Sequence, residues 1–74
     1  MSLKKMEAEI RAKQFRAELK ALAMVGPAVA EGLATRASKM IEHDPKLAAL
    51  LRAETDAVKA VSEYCEALLA EGVN

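Results

Sequence analysis

Apolar residues recur along this chain at the spacing of an α-helix, most clearly between Leu47 and Leu69. On a helical wheel, Leu47, Leu50, Leu51, Val58, Val61, Tyr64, Cys65, Leu68 and Leu69 fall within an arc of roughly 140°. Arg52, Asp56, Lys59, Glu63 and Glu66 take the other side. Alternating steps of four and three trace a seam through Leu47, Leu51, Glu54, Val58, Val61, Cys65 and Leu68. This approximates a coiled-coil stripe with one polar residue in it. That residue, Glu54, lies near the middle of the apolar arc. A buried carboxylate without a partner is costly. The pattern therefore asks for Glu54 to be paired, protonated or less buried than its neighbours.

The first half of the chain is equally helical in character. Residues 3–24 are rich in Ala, Glu, Lys and Leu, all strong helix formers. Glu9 and Lys13 form an i,i+4 pair in the favourable order. The apolar residues split into two strips: Phe15, Leu19 and Leu22 with Ala8 and Ala12, and Leu3, Met6 and Ile10 with Ala17, Ala21 and Met24. A helix with two strips has two neighbours to satisfy. Gly26-Pro27 interrupts the run, because proline lacks a backbone donor and crowds the preceding turn. Phase nevertheless carries through it: Phe15, Leu19, Leu22, Val25, Val29, Leu33, Ala37 and Met40 share one face of an uninterrupted helix. The spacing thus predicts one long helix over about 3–42, kinked at 26–27. The alternative is a break there, giving a three-helix bundle.

His43-Asp44-Pro45 is the turn. Proline disfavours the α conformation at Asp44. Asp44 then caps a second helix with Pro45 in its first position, running over about 45–71. The expected fold is all-α, a single helical domain over 1–74 built as an antiparallel hairpin. The short turn sets facing residues symmetrically about residue 44. Leu33 is then expected near Glu54 and Thr55, Val29 near Val58, Leu22 near Cys65, and Leu19 near Leu68. Residues 3–14 overhang the end of the second helix.

Composition changes this picture in one respect. A chain of 74 residues has little core to bury and is marginally stable alone. Its aromatic residues are Phe15 and Tyr64, and many of its helix positions are Ala. A homodimer with a four-helix-type core is therefore expected. Charge is balanced at 11 basic and 11 acidic residues, but residues 1–27 lean basic and residues 46–74 lean acidic. The two arms attract one another when folded back. One cysteine permits no internal disulfide, which fits a reducing compartment. No apolar run is long enough for a membrane span, and the N-terminus lacks a signal-peptide core. The expected location is cytoplasmic.

Candidate chemistry is sparse. The sequence holds no phosphate-binding loop, paired cysteines or catalytic triad pattern. His43, flanked by Glu42 and Asp44, has no metal-ligand spacing, and Cys65 reads as a core thiol. No catalytic, metal or cofactor site is expected, and the chain reads as a non-enzyme. Arg36 sits at the edge of the facing stripe, about one turn from Glu54, so a structural Glu54–Arg36 pair across the hairpin is expected. Leu3, Met6, Ile10, Lys13, Arg16 and Lys20 form the candidate partner surface. The reading is an adaptor, inhibitor or chaperone-like module that offers helical surfaces to a protein partner. The alternative is a small dimeric nucleic-acid-binding regulator using the basic face of the first helix.

Overall fold

The computed structural model describes residues 2–72. Two helices, α1 (Leu3–Met40) and α2 (Pro45–Ala70), pack against each other as a hairpin. No strand occurs among the described residues. Each helix end has a local cause. The Ser2 hydroxyl accepts the Lys5 N–H at 3.3 Å and opens α1. The N–H groups of His43 and Asp44 donate to the Met40 carbonyl at 3.0 and 2.7 Å, closing the turn. The Asp44 carboxylate accepts the Leu47 N–H at 3.1 Å, and Pro45 occupies the first helical position. After α2 the chain leaves through Gly72 at φ +77°, a left-handed conformation that glycine adopts without strain. Its N–H reaches the Leu69 carbonyl at 3.1 Å.

α1 runs through Gly26-Pro27, so the third helix of the alternative bundle is not formed. The proline has a specific consequence. Its nitrogen carries no hydrogen, so it cannot donate to the carbonyl of Ala23, four residues back. The Ser62 hydroxyl on α2 donates to that carbonyl instead, at 3.3 Å. Here the helices also come close together. A β-carbon built on Gly26 would lie 2.7 Å from the Ser62 β-carbon, so only glycine permits this approach. Gly26 and Ser62 are equidistant from residue 44, in agreement with the facing register expected from the turn.

The interface is a regular stripe of mostly small residues. On α1 it follows Leu19, Ala23, Gly26, Ala30, Leu33, Ala37 and Met40, and on α2 Ala48, Leu51, Thr55, Val58, Ser62, Cys65 and Leu69. All of these are buried or half-buried. Both stripes step by three and four, the spacing of a coiled-coil seam. The result corrects the expected packing faces. Thr55 and Ser62 replace Glu54 and Val61 at the seam, and Leu22, Val25 and Val29 lie outside it. Small side chains let the backbones approach closely and gain dispersion contacts. Larger residues at the seam would hold the helices apart. The buried Thr55 hydroxyl is satisfied within its own helix, donating to the Leu51 carbonyl at 2.8 Å.

The molecule is a rod of 62 × 20 × 14 Å. With 38 residues against 26, α1 outruns its partner. Residues 2–11 are exposed throughout, and the first fully buried residue is Leu19.

Candidate interaction surface

The hairpin has two unlike sides. On one, Leu22, Val25, Gly26 and Val29 of α1 face Glu54, Ala57, Val58 and Val61 of α2 across an open groove of about 300 Å³. Apart from Glu54 the lining is apolar. Leu22 (46%), Val25 (55%), Val29 (44%) and Val61 (51%) are all substantially exposed. On the other side a depression of about 530 Å³ is lined by Pro27, Ala30, Glu31, Ala34, Lys59, Ser62, Glu63 and Glu66. Farther toward the turn, Arg52, Asp56 and Lys59 continue that polar side. The asymmetry follows from the seam. With small residues where Gly26 and Ala30 meet α2, Leu22, Val25, Val29 and Val61 fall on one flank and Lys59, Glu63 and Glu66 on the other.

Glu54 is exposed at the margin of the apolar groove. Arg36 is exposed too, but it lines a different depression with Ala28, Glu31, Gly32, Thr35 and Lys39. No ion pair joins Glu54 to Arg36 among the described residues. The expected cross-helix pair is therefore replaced by two solvated charges. Turning Thr55 into the seam carries Glu54 outward by one helical step, where water solvates it and no partner is needed.

The overhang carries the rest of the candidate surface. Leu3 (72%), Met6 (46%) and Ile10 (52%) are exposed. Lys13 and Arg16 border a shallow depression of about 330 Å³ together with Ala12 and Glu9, and Lys20 is exposed one turn farther on. The acidic Glu9 tempers the basic cluster. His43 is exposed in the turn, and Cys65 is buried at the seam. No group of three metal-ligating side chains comes together among the described residues. Among the described residues, no helix is long and apolar enough to cross a membrane.

Two residues that matter most to the packing, Gly26 and Ser62, stand outside the apolar pattern. A signal for Ser62 was nevertheless present. Pro27 inside a helix leaves the Ala23 carbonyl in need of a donor, and Ser62 is the hydroxyl residue at that level of α2. Comparison with protein-family models, curated proteins and solved structures finds no match for this chain.

Proposed function

We propose that the chain is a small, non-enzymatic, cytoplasmic protein-interaction module of adaptor, inhibitor or chaperone-like type, working as a homodimer and presenting helical surfaces to a protein partner. The observation that supports this reading is the distribution of apolar area. Half of the seam positions are Ala, Gly, Ser or Thr, while Leu3, Met6, Ile10, Phe15, Leu22 and Val29 remain exposed along α1. Exposed apolar stripes on a helical scaffold are the means by which helix-based recognition operates. The overhang is the partner-facing part. Its methionine and aliphatic side chains form an adaptable contact, and Lys13, Arg16 and Lys20 supply a charged margin.

The test uses affinity capture from the native host with the full chain and two variants. A specific protein should be retained by the wild type and lost with Met6→Glu/Ile10→Glu. It should persist when Lys13, Arg16 and Lys20 are changed to Gln. Salt-sensitive retention of nucleic acid that disappears with the Gln variant would instead support the regulator reading.

A further inference from the structure

We propose that the apolar side of the hairpin is covered by the same side of a second copy, laid antiparallel about a two-fold axis at the level of Pro27. The proposal rests on the dimeric reading above and names the face and its orientation.

Two observations carry it. The first is area. The chain exposes 5743 Å², whereas a compact monomer of 8.0 kDa exposes about 4,500 Å². The radius of gyration is 17.4 Å, against about 11 Å for a compact chain of this length. The excess of roughly 1,300 Å² per chain is shared between the overhang, where residues 2–11 are all exposed, and the flanks of the hairpin, and it is of the order that each partner contributes to a stable homodimer, about 1,000 Å² or more.

The second is a self-complementary pattern on α1. Glu18 and Arg36 are separated by about five turns of 3.6 residues, so they project along the same line. Val25 lies two turns after Glu18, and Val29 two turns before Arg36. All four are exposed, and Val25 and Val29 line the groove. The four positions are symmetric about position 27. When α1 is laid antiparallel on a copy of itself, Val25 meets the partner's Val29 and Glu18 meets the partner's Arg36. A two-fold interface requires this reciprocity. Parallel pairing would instead set like charges against each other, which opposes it. An unrelated helix in the groove would give no reason for the symmetry. The polar side and the overhang stay free for the partner.

Sedimentation equilibrium of the full chain over a wide concentration range tests the proposal, with circular dichroism to follow helicity. The wild type should be a dimer. Val29→Glu should weaken it at least tenfold, and Ala34→Glu, on the polar side, should leave it unchanged. Glu18→Arg and Arg36→Glu should each weaken the dimer several-fold, and the double variant should return to the wild-type constant. These two are exposed charge exchanges, so they keep the test open if Val29→Glu fails to fold. A wild type that stays monomeric overturns both the face and the dimeric reading. A dimer indifferent to Val29→Glu keeps the dimeric reading and overturns the face. Single charge exchanges without effect, or a double variant that stays weak, overturn the antiparallel register.

Discussion

The Ser62 hydroxyl donates to the Ala23 carbonyl across the helix interface at 3.3 Å, supplying the hydrogen that Pro27 lacks. A mid-helix proline ordinarily costs a helix about 3 kcal/mol, partly through this orphaned acceptor. Here the neighbouring helix fills the vacancy. Ser62 is also buried, so removing its hydroxyl leaves the Ala23 carbonyl unsatisfied. Ser62→Ala should lower stability by about 1–3 kcal/mol. Pro27→Ala restores a backbone donor to Ala23, so Ser62→Ala should cost clearly less in that background. Urea unfolding of the four proteins at one fixed concentration gives the coupling energy.

Gly26 makes a second prediction at the same crossing. In an exposed helix, Gly→Ala gains about 1 kcal/mol of helix propensity. At position 26 the added β-carbon would lie 2.7 Å from the Ser62 β-carbon, which belongs to the rigid start of a side chain and cannot swing away. Overpacking costs of about 1–3 kcal/mol should cancel or exceed the propensity gain. Gly26→Ala should therefore be neutral to destabilising, whereas Gly32→Ala, with open space around its position, should stabilise by close to the full propensity term. The difference between the two urea midpoints is the measurement.

Cys65 is 4% exposed at the seam. Its reaction with a thiol-specific reagent must wait for the helices to separate. Labelling of the native protein should be slow and should accelerate strongly in denaturing urea. Ser62→Ala and Gly26→Ala should speed it in the order in which they destabilise. Rapid labelling of the native wild type would contradict the burial.

Glu54 is exposed and unpaired with Arg36, so it holds no structural charge. Glu54→Leu should leave folding intact and change hairpin stability by no more than about 0.5 kcal/mol, as for ordinary surface positions. In a dimer closed over the apolar groove it should not weaken association. Thermal and urea unfolding with sedimentation would check both. A loss of several kcal/mol would mean that Glu54 holds a paired, buried position after all.

Much of the architecture was legible in the chain. Asp44-Pro45 announces a helix start through a capping carboxylate and a residue with preset φ, and the short turn dictates antiparallel neighbours and their register. The continuity of α1 could be read from the phase of Leu19, Leu33, Ala37 and Met40 on both sides of Pro27. The candidate pair Glu54–Arg36 was not correctly legible, because it assumed that the strip with the largest residues is the one that packs. Large residues announce burial, but they do not say against what.

The sequence by itself determined two helices, their turn, their register and an excess of apolar surface over what one hairpin can hide. These follow from local propensity, capping and periodicity, which each residue carries wherever it sits. Only the tertiary structure decided which strip of each helix meets the other. That choice depends on how closely two backbones can approach, and hence on Gly26, Ala30, Ala37, Ala48 and Ser62 acting together. No single one of these residues stands out in a hydrophobic pattern. Their joint effect is to turn Glu54, Val29 and Val61 outward onto a side that the hairpin alone leaves uncovered.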